Sequence, residues 1–347
     1  MHINGRPIGP EHPPYVIAEL SGNHGGSLQR ALEIVDAVAE AGVDALKLQT
    51  YTADTITLDV NREEFVISEP SSLWYGRKLY ELYEEAHTPW EWHEELFARA
   101  KGHGLAAFSA PFDVTAVDLL ESLDVPCHKI ASFESTDLQL VRHVARTAKP
   151  MFISTGLATA AEISTAVGTA RSNGCDELLV LKCSSAYPTS PRDSHLATIP
   201  HLRQLTGTDV GLSDHTIGIG VPVAAVALGA VAIEKHVTLS RDDDTVDAAF
   251  SLEPAEFAQL VVEARQAWEA VGTVHYGPTD AEQSSLWLRR SLYVVEDIPA
   301  GETITHDNVR SIRPAYGLPT SYLDDILGLT VKRDVQRGTP LSWDLFR

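Results

Sequence analysis

Several features that mark secreted or membrane-spanning proteins are scarce or absent in this sequence. It has three cysteines in 347 residues, too few for a disulfide framework, so we expect reduced thiols and a cytoplasmic location. The first seven residues, MHINGRP, lack the apolar core of a signal peptide, and none is expected. The longest apolar stretch, residues 221–233, is too short to cross a bilayer.

Positive charge is also scarce. The 27 Lys and Arg residues face 48 Asp and Glu residues, which gives a net charge of −21. Such a chain repels nucleic acids and anionic membranes, so neither is an expected partner. An anionic substrate must therefore be captured by a local cationic pocket. The sequence contains neither a glycine-rich phosphate loop nor the pattern of a Ser-His-Asp triad.

Eight short apolar runs alternate with segments patterned as helices, and this order predicts an α/β fold, a (β/α)₈ TIM barrel. The runs cover residues 15–20, 45–50, 105–110, 128–132, 151–155, 178–184, 210–213 and 231–236. Helix starts are marked by N-caps, capping boxes and a proline. These are Ser27, Thr88 with Glu91, Asp113, Asp137, Thr159 with Glu162, and Pro254.

The composition changes after the eighth helix. We place the barrel in residues 1–272, a polar linker in 273–287 and a small β-rich domain in 288–347. In that domain, short strands are predicted to alternate with tight turns over the segments 291–295, 297–301, 330–334 and 337–341. Residues 53–87, after the second strand, are longer than an ordinary βα loop and rich in aromatic residues, so we expect them to cover part of the active site.

The predicted strands end in side chains that can do chemistry, and a TIM-barrel active site lies at those ends. The residues are Glu19, Lys47, Gln49, Ser109, Lys129, Ser132, Ser154, Ser184, Ser213, His215, Glu234 and His236. Residues two apart in a strand share a face, so Lys47/Gln49, Lys182/Ser184, Ser213/His215 and Glu234/His236 are each expected to point at one cavity. Lys47 and Lys129 lie within apolar runs, where an anionic ligand would supply the partner that a buried lysine needs.

His215 and His236, at the ends of neighbouring strands, predict a divalent metal site with open positions. Asp247 is close enough in sequence to the eighth strand to hold a metal-bound water. The alternative is that both histidines are hydrogen-bonded core residues. A metal-dependent aldolase and a synthase that uses phosphoenolpyruvate fit these residues equally well.

Several motifs resemble those of the sialic acid synthase family. They are IAELSGNHGGS (17–27), ALKLQT (45–50), KIAS (129–132), ISTG (153–156), GLSDHT (211–216) and EKH (234–236). The last 60 residues resemble the antifreeze-like SAF domain of that family. The resemblance covers essentially the whole chain, in the right order.

Within the family, the segments 49–55, 79–92, 248–254 and 332–344 resemble the pseudaminic acid branch. Ala186 stands before Tyr187-Pro188 where N-acetylneuraminate enzymes usually carry asparagine, which fits a different sugar. The resemblance implies condensation of phosphoenolpyruvate with 2,4-diacetamido-2,4,6-trideoxy-L-altrose, giving pseudaminic acid and phosphate. N-acetylneuraminate or legionaminic acid synthesis is the alternative, and a metal-dependent aldolase a more distant one.

The resemblance also implies roles for individual residues. Glu19, Glu234 and Asp247 would be catalytic, and His215 and His236 would hold Mn²⁺ or Mg²⁺. Substrate contacts would come from Lys47, Gln49, Ser109, Lys129, Ser132, Ser154, Ser184, Tyr187 and Ser213. Arg313 would reach the sugar site of the neighbouring subunit in a domain-swapped homodimer.

Overall fold

The computed structural model describes residues 1–346, which form two compact units. The first extends from Met1 to Gly272 and the second begins at Thr273. The first unit is a closed barrel of eight parallel strands, as the sequence predicts. Its strands are β1 (Tyr15–Glu19), β2 (Ala45–Thr50), β3 (Ala106–Pro111), β4 (His128–Ile130), β5 (Met151–Ser154), β6 (Leu178–Cys183), β7 (Asp209–Asp214) and β8 (Ala232–His236). A short antiparallel pair, His2–Ile3 with Arg6–Pro7, precedes them.

The strands read as continuous apolar runs because both of their faces are covered. Every residue of β1, β5, β6 and β8 is buried. Inward side chains fill the barrel: Phe108 of β3 and Phe152 of β5 stack with ring centroids 5.7 Å apart. Because β4 lies between these two strands, their side chains can meet only across the barrel interior. Outward side chains pack against the helices.

The helices of the first unit are α1 (Leu28–Glu40), α2 (Ala53–Ile56), α3 (Leu79–Ala86), α4 (His93–Gly102), α5 (Val114–Ser122), α6 (Leu138–Ala145), α7 (Ala160–Ser172), α8 (Thr198–Thr206), α9 (Gly220–Ala227) and α10 (Pro254–Val271). Most predicted helix starts are confirmed. The side chains of Ser27, Asp113 and Asp137 accept hydrogen bonds from backbone amides in the first turns of α1, α5 and α6. Thr159 and Glu162 form the predicted capping box, and Pro254 opens α10.

The capping box predicted at Thr88 and Glu91 is wrong. Pro89 has an extended ψ of 132° and is itself the N-cap of a 3-10 helix, Trp90–Trp92, that leads into α4. The Thr88 hydroxyl is therefore displaced from the helix end, and within residues 1–346 it has no hydrogen-bond partner.

The second unit has its own apolar core. An antiparallel pair, β9 (Ser291–Val294) and β10 (Val309–Ile312), is accompanied by a short helix, α11 (Leu323–Ile326). Strand β10 was not predicted, whereas the segments predicted at 330–334 and 337–341 form only isolated bridges. Part of the predicted linker is a 3-10 helix, Asp280–Leu288, capped by Thr279 and Glu282. In the described chain no helix is both long and apolar enough to span a membrane.

Candidate active site

A cavity of 540 Å³ lies where the carboxyl ends of the barrel strands meet. It brings together most of the site residues that the sequence predicts. Those lining it are Glu19, Lys47, Gln49, Lys129, Ser132, Ser154, Tyr187, Ser213, His215, Glu234, His236 and Asp247. These side chains come from six strands and from the loops after β4, β6, β7 and β8, which is the usual construction of a TIM-barrel active site.

The segment after β2 covers one wall of the cavity, as predicted. Its lining residues are Ile56, Ile67, Ser72, Trp74, Leu79, Leu82, Tyr83 and Ala86. Trp74 fixes this segment to the loop after β8, because its indole Nε1 donates to the Val246 carbonyl oxygen at 3.1 Å. The Trp74 ring also packs against Tyr187, with centroids 5.8 Å apart. The wall is therefore largely apolar and aromatic, whereas the barrel floor is ionic.

The floor contains two buried ion pairs. Lys47 Nζ lies 2.6 Å from Glu19 Oε1, and Lys129 Nζ lies 2.6 Å from Glu234 Oε1. Gln49 donates to Glu19 at 2.8 Å, and the Ser213 hydroxyl donates to Glu234 at 3.0 Å. Protein carboxylates therefore partner both lysines in the structure, because a buried ammonium needs a fixed counter-charge. The anionic ligand that the sequence predicts for the same lysines stays a prediction.

Both carboxylates are held in their charged form. Burial alone would raise the pKa of Glu19, but Lys47, His236 and Lys129 together outweigh it and hold that pKa below its usual range. For Glu234, burial is likewise outweighed by Lys129 and Lys47 together, and the pKa is lowered. The floor therefore presents two ammonium groups and two carboxylates, with almost no net charge.

His215 and His236 lie side by side at the ends of β7 and β8, with ring centroids 5.3 Å apart. The Nδ1 atom of His215 lies 3.0 Å from the Ser184 carbonyl oxygen, which can only accept, so Nδ1 carries the proton and Nε2 keeps a lone pair in the neutral ring. His236 Nδ1 is buried, lacks a hydrogen-bond partner among residues 1–346 and lies 3.7 Å from Asp247 Oδ2. Burial lowers the pKa of His236 and favours its neutral form.

These observations fit a divalent metal bound to the two histidines. Neutral imidazole nitrogens are good ligands for such ions, and a backbone carbonyl that fixes the tautomer is a usual companion. Among the described residues no group of three or more His, Cys, Asp or Glu side chains forms a complete ligand set. Two histidines alone would leave positions open for water and substrate.

The cavity residues that sequence reasoning missed include Glu134 and Cys183. Glu134 lies just after β4, and burial raises its pKa to about 7; its Oε2 atom has no hydrogen-bond partner within residues 1–346. The only sequence signal was its position two residues after Ser132. Cys183, the last residue of β6, lines the cavity 3.9 Å from His215 Nδ1.

Ser109 and Ser184 are corrections, because neither hydroxyl reaches the cavity. Phe108 fills the barrel interior, so Ser109 faces the helices, where its hydroxyl lies 2.6 Å from that of Thr50. On β6 Cys183 faces inward, and the predicted pair Lys182/Ser184 faces outward. Ser184 Oγ accepts from Lys182 Nζ at 2.6 Å and donates to the Asp193 carbonyl oxygen at 2.9 Å.

Arg313 belongs to the second unit, in the bend after β10, and its side chain is exposed. Its predicted reach into a neighbouring subunit stays a prediction.

Comparison with known proteins shows the family to which the chain belongs. The NeuB family model matches residues 34–276, and the SAF domain model matches residues 289–347. The chain belongs to the NeuB family. The resemblance to sialic acid synthases inferred from the motifs is thereby confirmed, together with the barrel and the SAF domain.

Relatives within the NeuB family carry named activities. The chain is 42% identical over 336 residues to the pseudaminic acid synthase of Campylobacter jejuni subsp. jejuni serotype O:23/36 (strain 81-176), covering 96% of each protein. It is 35% identical over 352 residues to the N,N'-diacetyllegionaminic acid synthase of Legionella pneumophila, covering 99% of this chain and 97% of that protein. Among solved structures, the N-acetylneuraminic acid synthetase of Leptospira borgpetersenii, in complex with citrate, matches with a TM-score of 0.73 and 30% identity over 82% of this chain and 94% of that chain.

Proposed function

We propose that this protein is a pseudaminic acid synthase, acting in the cytoplasm. It would condense phosphoenolpyruvate with 2,4-diacetamido-2,4,6-trideoxy-L-altrose and water to give pseudaminic acid and phosphate. The observation that carries the proposal is the similarity over 96% of the chain to a pseudaminic acid synthase, at higher identity than to the legionaminic acid enzyme. The 41% identity to the pseudaminic acid synthase of Helicobacter pylori gives the same support.

The charge balance of the cavity explains what else the reaction needs. Its lining in the described chain includes the lysines Lys47 and Lys129 and the acids Glu19, Glu134, Glu234 and Asp247. Even with Glu134 partly protonated, this set is slightly negative, whereas phosphoenolpyruvate is strongly anionic. Additional positive charge is required, and we propose two sources. One is a divalent ion, Mn²⁺ or Mg²⁺, on His215 and His236, and the other is Arg313 of a partner subunit.

When bound, the metal would supply Lewis-acid polarisation of the aldehyde oxygen of the sugar. The protein itself would position that oxygen, since Asp247 lies beside His236 and Tyr187 packs on His215 with centroids 4.5 Å apart. Gln49, which donates to Glu19, would orient the sugar together with Tyr187.

The lysines and serines would hold the enol phosphate. Each ammonium has three N–H groups and uses only part of them on Glu19 and Glu234, so Lys47 and Lys129 retain donors for the phosphate and carboxylate. The Ser154 hydroxyl is buried and lacks a partner within residues 1–346, which suits a ligand oxygen. Ser132 and Ser213 line the same part of the floor.

The carboxylates would serve the central steps. C3 of phosphoenolpyruvate attacks the aldehyde carbon, and positive charge develops at C2. The ionised Glu19 and Glu234 would stabilise that charge, because they lie in a buried site where electrostatic interactions are strong. A water then adds to C2, and the tetrahedral intermediate expels phosphate. Glu134, with its pKa of about 7, is suited to take up or release the proton of that water.

Mass spectrometry with phosphoenolpyruvate and a panel of aldoses tests the proposal. The expected result is pseudaminic acid, with one phosphate released per product, from the altrose derivative. Preferential use of the legionaminic acid precursor or of N-acetylmannosamine would assign the chain to another branch. Product without phosphate release would identify an aldolase.

A further inference from the structure

The turn after β6 contacts His215 through both its side chain and its backbone. His215 Nδ1 donates to the Ser184 carbonyl oxygen at 3.0 Å, and the Thr189 amide donates to the His215 carbonyl oxygen at 2.9 Å. Between these contacts, Tyr187 packs on the His215 ring. The imidazole is thus held by a single turn, residues 184–189, which comes from the neighbouring strand.

Thr189 holds this turn in shape. Its hydroxyl lies 3.1 Å from the Ser184 carbonyl oxygen and 2.7 Å from the Ala186 carbonyl oxygen, so one proton is shared between two acceptors. The residue is 4% exposed and does not line the cavity, so it does not touch substrate. Whatever it contributes to the reaction must pass through Ser184 and His215.

We propose that Thr189 is a positioning residue for the metal ligand His215. Its hydroxyl aims the Ser184 carbonyl at Nδ1 and its amide holds the His215 backbone, so that Nδ1 keeps its proton and Nε2 presents a lone pair to a divalent ion. This inference rests on the metal site of the proposed function. Loss of a group that orients a metal ligand typically weakens metal affinity about 10–100-fold. Thr189 acts one bond further away, so we expect about 10-fold.

Titration of metal-free protein with Mn²⁺, with free ion measured by electron paramagnetic resonance, tests the role. Thr189→Val keeps the shape but removes the hydroxyl, and we expect its Kd for Mn²⁺ to rise about 10-fold. Thr189→Ser restores the donor and should bind nearly as the natural protein does. Thr206→Val is the matched control, since the buried Thr206 hydroxyl also donates to a carbonyl, that of Leu202, but at the end of α8. It should lose thermal stability without losing Mn²⁺ affinity.

A second readout is independent of metal. Nitrogen-15 NMR of histidine-labelled, metal-free protein should show His215 protonated at Nδ1, and Thr189→Val should shift the ring towards a mixture of tautomers. If Thr189→Val matches the natural protein in both Mn²⁺ affinity and tautomer, the inference is overturned. If the natural protein binds no Mn²⁺, the proposed metal site fails, and the NMR comparison still decides the role of Thr189. Thr189→Ala serves the same comparison if the valine variant does not fold.

Discussion

Lys129 and Glu234 form a two-pronged ion pair inside the barrel, with Nζ 2.6 Å from Oε1 and 2.9 Å from Oε2. Both side chains are about 2% exposed. Glu234 also accepts from Ser213, and Lys47 Nζ lies 3.7 Å away. The pair sets the charge of the cavity floor: Lys129 lowers the pKa of Glu234, and Glu234 offsets part of the lowering that burial imposes on the pKa of Lys129. Removing one partner leaves the other as a buried charge without its counter-charge. Stability and activity are therefore expected to respond differently to single and double substitution.

The first prediction separates these effects. Lys129→Met should lower the free energy of unfolding by about 3–5 kcal/mol, because Glu234 loses its main counter-charge. The double variant Lys129→Met/Glu234→Gln should recover much of that loss while staying inactive. Urea unfolding and kcat provide the two measurements. Lys149→Met is the control, because Lys149 pairs with Glu121 at 3.2 Å near the surface. This substitution should lower the free energy of unfolding by less than about 1 kcal/mol. A fully active Lys129→Met variant would remove Lys129 from the site.

The second prediction concerns Glu134. Its pKa is raised by burial to about 7 in the folded protein, from an ordinary value near 4.5, so the folded state binds the proton more tightly. The contribution of Glu134 to stability is therefore full below about pH 4.5 and is lost as the pH rises through 7. Glu134→Gln removes this dependence.

The free energy of unfolding of Glu134→Gln, relative to that of the natural protein, should rise by roughly 2 kcal/mol as the pH is raised from 5 to 8. Urea unfolding at several pH values measures this difference. In the pH profile of kcat, the change near pH 7 that the titration of Glu134 causes should also be absent from the variant. A difference in stability that does not change with pH would show that Glu134 keeps an ordinary pKa.

The third prediction is that His215→Ala/His236→Ala abolishes Mn²⁺ binding and turnover. The two imidazole rings, with centroids 5.3 Å apart, are the ligands the proposal requires. Chelation should inactivate the natural protein, and Mn²⁺ should restore it. His143→Ala is the control, since this partly exposed residue lies beside Asp118 outside the cavity. Activity of the double variant, measured after chelation, would rule the metal out.

Much of the fold was predictable because a TIM barrel repeats one pattern eight times. The order of strands, the N-caps at Ser27, Asp113 and Asp137 and the covering segment are local features that the sequence displays directly. The capping box at Thr88 failed because the residue types were right but the backbone of Pro89 was extended.

The errors within the site have one physical origin. Strands buried on both faces show no alternation of apolar and polar residues, so the sequence does not reveal which of two neighbours points inward. Ser109 and Ser184 were therefore assigned to the cavity while Phe108 and Cys183 hold the inward positions. The ion pair of Lys129 with Glu234 joins residues 105 apart in sequence and depends on the closed barrel.

The fourth prediction concerns the bond that breaks. If water adds to C2, phosphate leaves with the bridging oxygen, and the bond between that oxygen and C2 is cleaved. Phosphoenolpyruvate labelled with ¹⁸O at the bridging position should give labelled inorganic phosphate, as read by mass spectrometry. Label retained in the sugar acid would indicate phosphorus–oxygen cleavage and remove the proton role assigned to Glu134.

The last prediction addresses Arg313 and the proposed domain-swapped dimer. Arg313→Ala and Lys129→Ala should each be nearly inactive, because one lacks the reaching cation and the other lacks a floor lysine. In a swapped dimer each site combines the barrel of one chain with the Arg313 of the other, so a mixed dimer has one intact site. After co-refolding of equal amounts, about half of the dimers are mixed, and roughly a quarter of natural activity should return. Recovery no higher than that of the separate variants would show that Arg313 serves its own barrel or no site at all.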